Sequence, residues 1–241
     1  MQLQPNQICA HRGASGTAPE NTMAAFRLAC DMAVGSIEFD ISLLGDGHLI
    51  IHHDAVLGRT IRATGMLSKM TFTAFHDLDA GSWFDDRFAG ERAPFLGQVL
   101  RLLDAHSKMA ILDVKIHANE EEEFAVALAK ELSQNNAPSP LITSFSRSFL
   151  CAMRHECPNA RLGLLDEPLP PDWEAFCDEW KMEAVHLDYT QSSTEDIAAI
   201  RASGRDIRLY TANEPAGVAP HLAAGATAII TDFPERFIPK G

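Results

Sequence analysis

An eight-stranded parallel barrel of repeated β–α units, a (β/α)8 fold, is the architecture this sequence predicts. Three observations carry it. Short apolar runs rich in β-formers alternate with amphipathic helical patterns along the chain. The alternation recurs about eight times without a break in composition, as a closed parallel barrel requires. The 241 residues, 46% of them hydrophobic, are enough to fill such a core as one domain spanning 1–241. The rival, an open doubly wound sheet, needs a Gly-rich GxGxxG turn after an early strand, and "HRGASG" lacks that spacing.

Ile8–His11 is the first strand, and Pro19-Glu20-Asn21-Thr22 reads as the capped start of a helix over Thr22–Met32. Ile37–Leu43 is the second strand. Gly45-Asp46-Gly47 is a turn signal, and from Leu49 the chain returns antiparallel. The segment from about 49 to 94 breaks the alternation. Its Gly, Asp and aromatic residues predict a small insertion after the second strand, folded over one barrel face, and loops of this length usually serve a site. Regular alternation then resumes. Strands are predicted at Met109–Ile116, Leu141–Ser144, Arg161–Leu165, Ala184–Leu187, Ile207–Thr211 and Ala228–Thr231, with helices at Phe95–His106, Glu120–Leu132, Ser146–His155, Asp172–Trp180, Thr194–Ala202 and Pro215–Ala224. The stretch "NNAPSP" at 135–140 reads as an ordinary helix-to-strand connection.

Charge narrows the partners. A formal net charge of −13 opposes binding to a nucleic-acid backbone but leaves room for a basic pocket that takes a small phosphorylated ligand. The five cysteines form no CxxC pair and read as reduced thiols. No basic-then-apolar leader opens the chain, and no apolar run approaches the roughly 18 residues of a membrane span, so a cytoplasmic protein without membrane insertion is expected.

In a parallel barrel, chemistry gathers at the C-terminal ends of the strands. Those ends present His11 and Arg12, then Glu38 and Asp40, then Asp113 and Lys115, then Ser144, and later Tyr210 and Asn213. Period-two alternation sets Glu38 and Asp40 on one face, and Asp113 and Lys115 likewise. If that face is the barrel interior, three carboxylates and a lysine crowd its mouth, and a bound cation is the natural partner of such costly charges. Each motif alone has a plainer reading: E-x-D is common on strands, D-x-K can be an edge ion pair, and the histidine of "HRG" can simply end its strand. Together at one mouth they point to a metal-assisted phosphate site. The hairpin centred near Asp46 sets Asp40 opposite His52 or His53, with one residue of register open. The two imidazoles face opposite ways, so only one of them reaches the mouth.

Beyond these residues, the chain resembles the glycerophosphodiester phosphodiesterase family, especially its cytoplasmic bacterial members associated with glycerol 3-phosphate uptake. The resemblance runs nearly end to end through "AHRGASGTAPENTMAAF", "IEFDISLLGDGHLIIHHDAVLGRT", "LDAGSWF", "ILDVK", "LITSF", "LYTANEP" and "GATAIITDFP". It implies a TIM barrel and divalent-metal-dependent hydrolysis, with Mg2+ or Ca2+, of glycerophosphodiesters such as glycerophosphocholine or glycerophosphoethanolamine. By position it makes Glu38, Asp40 and Asp113 metal ligands, His11 and His53 the acid/base pair, and Arg12 and Lys115 phosphate contacts. The H-D-x-x-L-x-R-T match selects His53 over His52. Phe145 and Tyr210 are expected to shape the substrate pocket, and Glu20 to support His11 or Arg12. Three departures stand out. Asp113 occupies a position where glutamate is usual, Tyr210 one where tryptophan is usual, and Gly97-Gln98 replaces residues that are commonly acidic, read here as a change on a helix surface. Two further readings accompany the main one: a related barrel phospholipase of the D or C type acting on lysophospholipid headgroups, and a catalytically weak metal-stabilised binding protein.

Overall fold

The computed structural model describes residues 2–135 and 138–238. Eight parallel strands close on themselves: β1 (Ile8–His11), β2 (Ser36–Leu43), β4 (Met109–Val114), β5 (Leu141–Ser144), β6 (Arg161–Asp166), β7 (Ala184–Asp188), β8 (Asp206–Tyr210) and β9 (Ala228–Thr231). Closure is made by β1, which pairs in parallel with both β2 and β9. The remaining strand, β3 (Leu49–Ile51), lies antiparallel on β2 with Ile41 opposite Ile51. Around the barrel run α1 (Met23–Cys30), α3 (Leu96–Ala105), α4 (Glu121–Ser133), α5 (Arg147–Glu156), α6 (Trp173–Glu179), α7 (Thr194–Ala202) and α8 (Pro215–Ala224), while a single turn, α2 (Phe72–Phe75), sits in the insertion. This is the TIM barrel expected. Of the connection predicted at 135–140, residues 136 and 137 lie outside the described residues.

The sequence of β2 shows how the barrel sorts its side chains. Ile37, Phe39 and Ile41 join the apolar layer between strands and helices, and Phe39 meets Phe26 of α1 edge-on at 5.4 Å between ring centroids. The alternate residues Ser36, Glu38, Asp40 and Ser42 are equally buried and therefore face the barrel interior. A strand buried on both faces normally reads as continuous apolar residues. Here the positions that face the interior are polar instead. Lower in the interior, Cys9, Ile111, Leu141, Ala184 and Ile230 form an apolar cluster beneath the mouth.

Two local devices shape the turn after β1. Arg12 and Gly13 both adopt left-handed backbone, at φ 56° and 83°. A Cβ on Gly13 would fall 2.7 Å from the Ala25 backbone, so only glycine permits this close approach to α1. The turn ends at the predicted cap, where Thr22 Oγ1 accepts from the Ala25 N–H at 3.4 Å.

The insertion gathers a small apolar centre of its own, in which Leu44 at the end of the β2 limb joins Ile50, Leu57, Ile61, Leu67, Phe75 and Ala80. Asp79 of "LDAGSWF" ties the outer part of this segment by accepting from the backbone N–H groups of Gly81, Ser82 and Gly90, each at 2.8 Å. Two sequence readings need adjustment. The strand predicted to reach Ile116 ends at Val114, although the Lys115 N–H still donates to the Ile41 carbonyl at 2.9 Å. Gly97, read as a surface position, is buried on α3, where a Cβ would fall 2.8 Å from Asn135 Oδ1. No helix among the described residues is long and apolar enough to cross a membrane.

Candidate active site

The adjacent strands β2 and β4 bring Glu38, Asp40 and Asp113 together. One oxygen from each lies within 4.8 Å of the others, and all three residues are buried. Adjacent registers explain the cluster: Asp40 pairs with Asp113 across β2 and β4, and Glu38 with His11 across β1 and β2. Lys115 Nζ donates to Asp113 Oδ2 at 2.6 Å and lies 3.3 Å from Asp40 Oδ1, an ion pair without hydrogen-bond alignment. Arg12 Nε stands 3.0 Å from Asp40 Oδ2, also misaligned, while its Nη1 donates to Glu20 Oε1 at 2.8 Å. The left-handed turn at Arg12 lets its backbone N–H reach Glu38 Oε2 at 3.2 Å. Asn21 completes the set, donating from Nδ2 to Asp40 Oδ2 at 2.7 Å.

The electrostatics follow from this crowding. Burial pushes the Glu38 carboxyl up to about 7, with Asp40 and Asp113 adding to the rise and His11 and Arg12 opposing it. Burial also acts to raise Asp40, but Arg12 and Lys115 overcome it and hold that carboxyl well below the usual range. Three carboxylates thus face two permanent cations, and Asp40 Oδ1 and Asp113 Oδ1 have no hydrogen-bond partner among the described residues. An all-oxygen donor set with two unmatched buried oxygens fits a hard divalent cation. Asp113, though one methylene shorter than glutamate, brings an oxygen into the cluster.

Two imidazoles flank the carboxylates. His11 Nδ1 meets Asp232 Oδ1 at 2.6 Å, and its Nε2 turns inward to 3.8 Å from Glu38. Burial lowers the affinity of His11 for its proton, but Glu38 and the Asp232 hydrogen bond outweigh this and raise its pKa. His53 Nδ1 meets Asp54 Oδ1 at 2.7 Å, and its ring lines the same cavity. Arg59, from the insertion, grips both Asp54 (Nε to Oδ2, 2.7 Å) and Glu20 (Nη1 to Oε2, 2.7 Å). Glu20 therefore contacts Arg12 and Arg59, rather than His11. His52 goes elsewhere: it is buried against Phe75, with ring centroids 5.8 Å apart.

A cavity of about 440 Å3 opens beside these groups, lined on one side by His11, Arg12, Glu38, His53, Asp113 and Lys115. Its other side is formed by β5–β9, where Phe145 and Tyr210 stand edge to face at 6.3 Å. Tyr210 Oη donates to the Asp166 carbonyl at 3.1 Å, and Phe145 is 46% exposed at the entrance. Asp40 lies beneath the cavity surface, reaching it through Arg12 and Lys115. Ser144, also at a strand end, is taken up by bonding to the Val114 carbonyl at 2.7 Å.

The strand-end residues singled out in the sequence stop short of the last strand, and so pass over Asp232, which also accepts from Ser15 Oγ (3.0 Å) and Asn213 Nδ2 (2.7 Å). The same signal marks it, since Asp232 directly follows β9. Asn21, Asp54 and Arg59 stand within conspicuous motifs but gain a role only in the fold, which shows the carboxylates and imidazole they meet.

Fold and site together define a (β/α)8 barrel whose buried acidic triad, able to hold a metal ion, lies between two carboxylate-anchored imidazoles. The model of the glycerophosphoryl diester phosphodiesterase family matches residues 11–236, and the chain belongs to that family. It is 31% identical over 238 residues to a glycerophosphodiester phosphodiesterase of Caldanaerobacter subterraneus, covering 96% of both chains. To one of Bacillus subtilis it is 31% identical, covering 98% of this chain and 87% of the relative. Among solved structures, a phosphodiesterase of Oleispira antarctica in complex with the product sn-glycerol-3-phosphate superposes with a TM-score of 0.91 at 28% identity, covering 96% of this chain and 94% of the other.

Proposed function

We propose that this chain hydrolyses glycerophosphodiesters to an alcohol and sn-glycerol 3-phosphate. The observation that carries the reading is the convergence of Glu38, Asp113, two cationic side chains and two imidazoles on one cavity, with Asp40 completing the acidic triad beneath it. A phosphodiester monoanion resists attack because the nucleophile must approach negative oxygens. Arg12 and Lys115 are the groups that bind those oxygens, and each is held in place by carboxylates before substrate arrives. Glu38, Asp40 and Asp113 would hold a divalent cation, Mg2+ or Ca2+, which supplies further charge neutralisation beside the phosphate when bound.

His11 and His53 divide the proton transfers. One removes the proton of the nucleophile, either water or a glyceryl hydroxyl whose cyclic phosphate water then opens, and the other protonates the leaving alkoxide. Their Nδ1 atoms are committed to Asp232 and Asp54, which fixes ring orientation and leaves each Nε2 for the reacting groups. Glu20 and Arg59 act behind Arg12 and Asp54 as positioning residues. Phe145 and Tyr210 wall the pocket for the organic part of the substrate. Glycerophosphocholine and glycerophosphoethanolamine are the substrates to try.

The test supplies purified protein with glycerophosphocholine and either Mg2+ or Ca2+, and couples released glycerol 3-phosphate to its dehydrogenase. Release that stops with EDTA and with His53→Ala supports the reading. No release with any divalent ion, or release that survives both treatments, would sink it.

A further inference from the structure

The cavity changes character with depth. Phe145, Glu167 and Thr190 are exposed at its entrance, whereas Leu165, His186 and Ile230 are buried at its base. His186 precedes Asp188 by two residues on β7, so it points into the barrel one layer deeper. Register sets it between Leu165 of β6 and Arg208 of β8. Its side chain is fully buried, and neither ring nitrogen has a hydrogen-bond partner among the described residues. Native interiors rarely leave both nitrogens of a histidine unmatched, and such an atom on a cavity wall calls for a ligand.

The neighbours say what kind of ligand. Arg208 directs Nε to Asp206 Oδ2 at 2.8 Å and Nη1 to Ser36 Oγ at 3.0 Å, and no hydrogen bond joins it to His186 among the described residues. Burial and the nearby Arg208 charge press the imidazole down to about 3, with Asp206 pulling weakly the other way, so the ring is neutral. A neutral imidazole presents one N–H donor and one acceptor nitrogen. A hydroxyl can meet either nitrogen, accepting from the N–H or donating to the other, whereas an ionised phosphate oxygen can meet only the N–H. The phosphate is drawn instead to Arg12 and Lys115.

We propose that His186 is a specificity-determining residue that hydrogen-bonds a glyceryl hydroxyl of the substrate at the closed base of the cavity. The proposal rests on the glycerophosphodiester reading above. In that reaction the glyceryl unit is the constant half of every substrate, and a closed, buried base suits a constant group. The alcohol varies in size and charge, and the open entrance suits it.

The test measures binding of sn-glycerol 3-phosphate and of n-propyl phosphate to the metal-loaded protein by titration calorimetry. Propyl phosphate keeps the phosphate and the three carbons but lacks both hydroxyls. The wild type is expected to prefer glycerol 3-phosphate about tenfold or more. His186→Leu should erase most of that preference and raise KM for glycerophosphocholine about tenfold, while kcat changes less than about threefold. His186→Gln, which restores a donor and an acceptor, should recover part of the preference. Equal binding of the two phosphates by the wild type, or an undiminished preference in His186→Leu, would overturn the proposal. Should His186→Leu fail to fold by circular dichroism, His186→Phe keeps the ring volume without nitrogens and is held to the same outcomes. Discriminating binding without hydrolysis of glycerophosphocholine would overturn the reaction and leave the hydroxyl contact standing, which separates the two failures.

Discussion

The barrel mouth and the insertion after β2 receive adjacent histidines from one short strand and treat them in opposite ways. At the mouth, His53 is half-buried, tied to Asp54 and open to a cavity lined by charged groups. In the insertion, His52 is sealed against Phe75 of the apolar centre, and its Nε2 has no partner among the described residues. Register alone would have favoured the other residue. With Ile41 opposite Ile51, the next pair along is Asp40 with position 52. The ladder ends at Ile51, however, and the chain turns away so that the His52 ring packs on the insertion's apolar centre. The difference teaches that a hairpin sets which height an imidazole reaches, while the solvent on each face of the strand sets what it can do.

The comparison breaks most sharply if His53 is dispensable. His53→Ala is expected to lower kcat by about a hundredfold to ten-thousandfold in the coupled glycerol 3-phosphate assay. The thermal midpoint should hardly move, since the ring is partly solvated and no apolar core is opened. A variant of near-normal kcat would make the mouth no more special than the insertion.

Asp232→Asn sharpens the account of the mouth with a smaller effect. It leaves the side-chain shape but removes the charge that anchors His11 Nδ1 at 2.6 Å. Burial works against ionisation of Asp232, yet its bonds to His11, Asn213 and Ser15 bring it down to about 2, so it is charged throughout the working range. The Asp232 bond is one of the influences that raise His11, so its loss lowers the His11 pKa. The expected result is a kcat reduced about tenfold to a hundredfold, with the His11-governed limb of the kcat/KM profile displaced to lower pH. An unmoved limb would show that Asp232 serves only the fold.

Much of this is legible in the chain because the barrel writes its signals locally. Polar alternation in "SIEFDISL", the "GDG" turn and the run of β–α units each depend on neighbours a few residues away, and the eight strands lie where those signals put them. The cluster of Glu38, Asp40 and Asp113 follows from strand ends alone. What the chain does not disclose depends on contacts remote in sequence. The Asp232–His11 bond spans 221 residues, and the Arg59–Glu20 pair spans 39. Gly97 reads as a surface position because its close neighbour, Asn135, arrives from beyond the end of α4. His186 carries no motif; only the cavity it lines distinguishes it from an ordinary buried histidine.

The smallest effect belongs to His52, and it concerns stability. Burial presses its pKa from 6.5 to about 4, with Asp54 and Asp40 opposing and Arg59 assisting. A histidine whose folded pKa lies below its unfolded value is charged more readily in the unfolded chain. Between about pH 6.5 and pH 4 the unfolded state therefore binds the extra proton, and stability falls as pH falls through that window. The full loss is on the order of 3 kcal/mol, complete near pH 4 and absent above about pH 7. Other groups contribute slopes of their own, since His186 adds one of the same sign and His11, raised, one of the opposite sign. The informative quantity is thus the difference between two proteins. His52→Phe keeps an aromatic ring against Phe75 and removes the titrating group, so urea midpoints of variant and wild type should converge near neutral pH and separate toward pH 4, with the variant the more stable there. Its kcat should stay within about threefold of the wild type, in contrast to His53→Ala one residue away. Parallel midpoint curves, or a kcat loss as large as that of His53→Ala, would mean that the insertion does not hold His52 as a neutral core residue.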